Sequence, residues 1–182
     1  MRSEQRRRTR RQQAGSRRMA LKRKCSLEPP WTYRGAPLTH NLLQSLANKL
    51  YLKLADLSAL ASDYQKAIAN YERIAKSSIN NNLMKWSVKE YLLKAGICHL
   101  CTNDMVATNR ALESYRDLDP SFSQTREHQL LTDLAEACEE GDQEKFADKL
   151  FQFDQMSKLD KWKTTLLLRV KEGIEEKGED FS

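Results

Sequence analysis

Cys98-His99-Leu100-Cys101 sets two thiols and an imidazole within four residues, the spacing of half a zinc site or of a dithiol redox centre. Zinc needs four ligands, and the further donors, His128 and Cys138, stand in no recognisable ligand pattern. A thioredoxin-like centre needs a βαβ setting, and no strand pattern is visible. Both cysteines fall on an apolar helical face, where a free thiol behaves as a small hydrophobe, so they read as core residues. His40, His99 and His128 have no nucleophile elbow around them. No glycine-rich phosphate loop is present. The expectation is a protein that is not an enzyme, with no catalytic residue, no metal and no cofactor.

The remaining chemistry is charge. Lys49 and Lys53 are one helical turn apart, as are Lys85 and Lys89, so each pair shares a helix face, with Lys94 further along. Glu136, Glu139 and Glu140 have helical spacing in the opposite sign. The formal net charge of +6 hides this division. Residues 1–24 carry 11 Lys+Arg against the single Glu4, a balance of +10. Residues 40–126 balance at +3 and residues 127–182 at −7. Such stretches are commonly solvated faces. In a stacked helical array, however, equivalent faces line up into a continuous surface. A basic stripe there suits an acidic, extended partner, and an acidic end suits a basic one.

The elements that would hold these charges are helices. Gly (6) and Pro (4) are scarce, and the 182 residues suffice for one sizeable core. From Leu38, the leucines 42, 43, 46, 50, 54, 57 and 60 recur at three- and four-residue steps, one wide apolar stripe. Asp63 caps a second helix from Tyr64 to about Ala75, with Ala67, Ile68, Tyr71 and Ile74 inward. Ser77–Asn82 reads as a loop. A third helix runs from about Met84 to Cys101, with Trp86, Tyr91, Leu92, Ala95 and Cys98 on its apolar side. After a turn at Thr102–Asp104, a fourth continues to about Leu118 and stops at Asp119-Pro120. A fifth spans about Thr125 to Glu140, ended by Gly141. Asp142 caps a sixth with Phe146, Leu150 and Phe153 inward. The seventh, from near Leu159, uses Trp162, Leu166, Val170 and Ile174, widened by Leu167 and Leu168.

Within them is an echo. Tyr64–Ile74 has Ala67-Ile68 followed by Tyr71, and Ala107–Leu118 has Ala111-Leu112 followed by Tyr115, offset by 44 residues. Small residues permit close helix approach and the tyrosine fills the next turn, as in the second helix of tetratricopeptide hairpins, whose repeat is nearer ~34 residues. The expected fold is all-α: a right-handed superhelix of TPR-like antiparallel hairpins over 38–126, closed by a helical bundle with an acidic tail over 127–182. Two hairpins are fewer than normally stabilise a solenoid, which points to further helices upstream. Residues 1–37 are expected to be a disordered Arg-rich segment, too poor in large apolar side chains to offset ordering entropy. This arm gives the alternative reading, a nucleic-acid binder, with Trp31 and Tyr33 as stacking candidates. No apolar run approaches the ~20 residues of a membrane span. Without a secretory signal, the four cysteines (25, 98, 101 and 138) read as reduced thiols.

Several long blocks carry a resemblance: ANKLYLKLADLSAL (47–60), YQKAIANYERI (64–74), LMKWSVKEYLLKAGICHLC (83–101), ALESYRDLDPSFSQTRE (111–127) and LDKWKTTLLLRVK (159–171). In order and spacing, residues 44–182 resemble the carboxy-terminal half of alpha-SNAP, the soluble NSF attachment protein family. That resemblance implies a cytoplasmic adaptor, peripheral at membranes through SNARE complexes, that coats the SNARE helical bundle and recruits and stimulates the NSF-type AAA ATPase. No nucleic-acid partner is implied. The SNARE-facing positions match Lys49 and Lys89, with Lys53, Lys85 and Lys94 as neighbours. The ATPase-facing positions match Asp104, Glu136, Glu139 and Glu140, with Arg126 close by. The family's stimulatory leucine near the carboxy terminus corresponds to Phe181. The family's leading hairpins and membrane-touching loop have no counterpart here, so the resemblance suggests a truncated form, a short paralogue or a misassigned gene start. Weaker SNARE binding, lost membrane contact and an exposed Leu38–Leu60 surface are then expected.

Overall fold

Short polar residues set the helix starts. Asp63, Asp104, Thr125, Asp142 and Asp160 each accept a hydrogen bond from the backbone N–H three residues on, satisfying a donor that no helical carbonyl can reach. Gly141 stops one helix in the left-handed conformation, φ 72°. The computed structural model describes residues 37–81 and 84–179, with the side chains of 37–41 and 175–179 outside the description. Over these residues the chain is all-helical: α1 (Pro37–Leu60), α2 (Tyr64–Ile79), α3 (Lys85–Cys101), α4 (Met105–Leu118), a 3-10 turn (Phe122–Gln124), α5 (Arg126–Glu140), α6 (Gln143–Met156) and α7 (Lys161–Glu179). The Arg-rich arm with Cys25, Trp31 and Tyr33 lies outside the described residues, as does Phe181. From Gln44 onward the described residues belong to one compact unit.

α3 is the hub, with α2, α4, α5 and α7 all packed against it. It is therefore buried almost all round, through Val88, Leu92, Leu93, Ala95, Ile97, Cys98 and Leu100, rather than along one side. Trp86 departs from the expected apolar side: it sits in the first turn of α3, before the helix enters the core, and is 83 % exposed. Gly96 lets α5 come close, since a Cβ there would lie 2.5 Å from Leu131 Cδ1.

α2 continues to Ile79, through Ser77 and Ser78, which composition assigns to a loop. Ser77 Oγ bonds back to the Ile74 carbonyl, and Asn48 donates to the same hydroxyl. Ser78 is fully buried, and Ile79 packs on the core, so tertiary contacts extend the helix. The tyrosine echo has a physical meaning here: Tyr71 donates to Asp56, and Tyr115 donates to Glu72 at 3.1 Å. Each second-helix tyrosine, buried among apolar side chains, reaches a carboxylate on an earlier helix.

α1 is turned in a way periodicity alone does not reveal. Asn48, Ala55, Ser58 and Ala59 are buried, while Leu46, Leu50, Leu54, Leu57 and Leu60 face outward. Small side chains face the neighbouring helices, and the leucine stripe is left to the solvent. α7 returns to the beginning of the unit. Its Trp162 Nε1 donates to the Asp56 carbonyl at 3.1 Å, and Arg169 donates to the carbonyls of Ala59 and Leu60 at the end of α1. Leu166, Leu167, Val170 and Ile174 are buried, whereas Leu168 is exposed.

Candidate functional site

Chemistry at Cys98 and Cys101 is closed off by packing. Burial pushes both thiols up, Cys101 to about 12, so neither is a thiolate at neutral pH. Cys98 is fully buried, and Cys101 Sγ donates to the Leu166 carbonyl. His99 and His128 belong to packed clusters. His99 stands 3.8 Å from Glu72 and beside Tyr115. His128 packs edge-on against Phe122, and burial lowers its basicity, with Arg116 adding to the effect. No described nucleophile faces a cleft beside a base.

The five lysines of the expected basic face divide into three environments. Lys49 and Lys53 project from α1, exposed and without an ion pair among the described residues. Lys85 and Lys89, in the first turns of α3, line a groove of about 430 Å³ with Trp86, Asp119, Ser121, Phe122 and Thr125. Lys85 is free of ion pairs in the described structure, whereas Lys89 Nζ sits 2.8 Å from Glu127 Oε1. Burial raises the Glu127 carboxyl, but Lys89 and the start of α5 outweigh it and leave the group below the usual carboxylate range. An acidic ligand at Lys89 has to displace an ionised Glu127.

Lys94 differs from the other four. Its residue is only 8 % exposed, and its ammonium lies 2.9 Å from Asp56 Oδ1. The same group stands 4.9 Å from the Trp162 ring centroid and 5.9 Å from that of Tyr71. A charge sunk this deep needs a partner, and here it has a carboxylate and two aromatic faces. Lys94 thus ties α3 to α1, α2 and α7, facing inward rather than joining a docking surface. Its partner Asp56, 38 residues away, has no local signature in the sequence. The Asp56–Tyr71–Lys94–Trp162 cluster went unforeseen for that reason.

The acidic candidates are more nearly together. Glu136 and Glu140 lie one turn apart on α5 and both contact Lys145 in the first turn of α6, at 3.0 and 2.8 Å. These two carboxylates hold the Lys145 ammonium above its usual range. Glu139, on the same final turns, accepts from Asn109 of α4 at 2.6 Å. Asp104 caps α4 through the Ala107 N–H, leaving its carboxylate exposed. Arg126 opens α5 and borders a shallow groove with Gln129, Asp133, Lys149, Phe153 and Met156. Glu136, Glu139 and Glu140 form one patch, Asp104 and Arg126 each occupy the start of a helix, and Phe181 lies outside the described residues.

The family described as "Soluble NSF attachment protein, SNAP" matches residues 37–175. A probable vesicular-fusion protein sec17 homologue of Schizosaccharomyces pombe is 54% identical over 138 residues, 76% of this chain and 48% of that protein. The alpha-soluble NSF attachment protein of Vitis vinifera is 54% identical over 131 residues, 72% of this chain and 45% of its own. The human protein of that name is 41% identical over 137 residues, 75% of this chain and 46% of its own. The chain therefore spans about half the length of the curated relatives it matches.

Proposed function

This chain belongs to the soluble NSF attachment protein family, and from that membership we propose that it is a non-enzymatic adaptor in vesicular fusion and intracellular transport. It binds SNARE complexes through Lys49, Lys53, Lys85 and Lys89. It recruits an NSF-type AAA ATPase through Asp104, Arg126, Glu136, Glu139 and Glu140, and Phe181 acts as the apolar terminus that stimulates the ATPase. The working location is the cytoplasm, peripheral to membranes through the SNARE complex. The observation that supports this most directly is the separation of charge. Exposed lysines without ion pairs stand on α1 and at the start of α3, while the end of α5 offers Glu136, Glu139 and Glu140. Long-range complementarity of this kind steers two oppositely charged partners to two places on one scaffold.

Lys94 is left out of the ligand set because its ammonium is already engaged by Asp56 and two aromatic rings. The test mixes the purified chain with SNARE complex, NSF-type ATPase and ATP, scoring SNARE binding, ATPase recruitment and disassembly separately. Reversal of Glu136, Glu139 and Glu140 to Lys is expected to lower ATPase recruitment by at least about tenfold and leave SNARE binding intact. Lys49→Glu with Lys53→Glu is expected to do the converse. Recruitment that survives the acidic-patch reversal would remove the assignment.

A further inference from the structure

One of the lysines offered to an acidic partner is already answered from within the chain. Lys85 and Lys89 line the same groove of about 430 Å³, yet Lys85 carries no ion pair among the described residues and Lys89 Nζ lies 2.8 Å from Glu127 Oε1. The two ends of that pair differ in access. The Lys89 side chain is 47 % exposed and the Glu127 side chain 16 %, so the ammonium can be reached from solvent while the carboxylate is largely covered. Glu127 occupies the first turn of α5, where the helix dipole favours an anion and the Thr125 cap holds the backbone. A lysine ammonium can serve two carboxylates, as Lys145 does with Glu136 and Glu140. An incoming acid therefore either displaces Glu127 or sits beside it, and in both cases it meets a negative charge already in place. Trp86 lines the same groove and is 83 % exposed.

We propose that Glu127 is the specificity-determining residue of this groove, an internal competitor that occupies Lys89 until a partner carboxylate arrives together with an apolar side chain for Trp86. On the adaptor reading, on which this assignment rests, the partner is a helix of the SNARE complex. Exchanging one carboxylate for another at Lys89 yields almost nothing, because the pair that forms resembles the pair that breaks. The gain has to come from the rest of the groove. Lys85 is free to pair, and the Trp86 ring sheds water when an apolar side chain covers it. Trp86 and Lys89 are three residues apart on α3 and so share a face. The matching pattern on the partner is an apolar residue and a carboxylate three or four positions apart on one helix. A carboxylate presented alone is disfavoured, which is discrimination by a built-in repulsive element.

The test titrates the full 182-residue chain against an assembled SNARE complex and records the thermal melt of each variant. Glu127→Gln keeps the shape of the side chain and removes its charge, and is expected to tighten binding about threefold. Glu127→Asp keeps the charge but draws it one methylene back from Lys89, and is expected to tighten binding by a smaller factor. The gain from Glu127→Gln is expected to vanish in a Lys89→Gln background, because the competitor acts only through Lys89. Trp86→Ala is expected to weaken binding about tenfold, and Trp86→Phe to retain most of it. Binding by Glu127→Gln no tighter than wild type would overturn the proposal. So would a gain that persists without Lys89, since net charge alone is then at work, or unchanged binding by Trp86→Ala. Loss of binding by Lys49→Glu with Lys53→Glu beside an unmoved Glu127→Gln would strike this proposal and leave the adaptor reading standing. A wild-type chain that ignores the SNARE complex removes both.

Discussion

Asp56–Lys94 and Glu136–Lys145–Glu140 have nearly the same contact lengths, 2.9 Å against 3.0 and 2.8 Å, in opposite surroundings. The first pair lies where four helices converge, with the Lys94 side chain 11 % exposed and aromatic rings of Tyr71 and Trp162 within 6 Å. The second lies at the turn between α5 and α6, with glutamates about half exposed and water free to compete. The distances cannot tell these roles apart, whereas desolvation can. An interior pair is strongly felt when one member is lost, because the other is left buried and unanswered. A surface pair contributes little to stability, which leaves its charges open to exchange with a partner. The same contrast separates Lys94 from Lys49 and Lys53: Lys94 is engaged inside the protein by Asp56 and two aromatic rings, whereas Lys49 and Lys53 are exposed.

Three measurements can break or sharpen this contrast. The largest effect is expected from Lys94→Ala, which removes the ion pair to Asp56, the contacts with the Tyr71 and Trp162 rings and the packing of the lysine stem. Chemical denaturation should show a loss of about 3 kcal/mol, and a loss below about 1 kcal/mol would mean that the interior pair is no stronger than a surface one. An intermediate effect concerns acid. The His99 ring lowers the Glu72 carboxyl from its ordinary value of 4.5, against the pull of burial, with Tyr115 and Lys76 assisting. A group whose folded pKa is depressed stabilises the fold above the unfolded value and loses that contribution as pH falls through the folded one. Stability should therefore decline from about pH 5 downward, and Glu72→Gln should flatten part of that decline in unfolding curves across the range. The smallest effect is expected from Lys145→Ala, which should leave the denaturation midpoint at the wild-type value. A loss as large as that of Lys94→Ala would erase the distinction between the two clusters.

Much of the fold was legible in the residues. The seven described helices, the caps at Asp63 and Asp142, the stop at Gly141 and the inward Tyr71 and Tyr115 all follow from local chemistry and period. What escaped is long-range. Helical periodicity located the α1 stripe but could not say whether a neighbour covers it. That depends on Ala55 and Ala59 fitting against the neighbouring helices better than leucine would. Lys94 looked like one more surface lysine because Asp56 and Trp162, which hold it, lie 38 residues before and 68 after it in sequence. The helical pattern puts Trp86 on the apolar side of its helix, yet its turn of α3 precedes the core. At the acidic patch the residue types were readable, and Lys145 between Glu136 and Glu140 was not, because it comes from the next helix.

The return of α7 to α1 has a consequence for the order in which the molecule assembles. Trp162 bonds to a carbonyl 106 residues earlier, and Arg169 to one 110 residues earlier. During synthesis, then, Asp56 and Lys94 emerge and wait, half sealed, until α7 leaves the ribosome. Contacts of such sequence separation slow folding and make it depend on completion of the chain. A nascent protein halted before Trp162 should be open to proteases at the α1–α2 hairpin, far from the missing end.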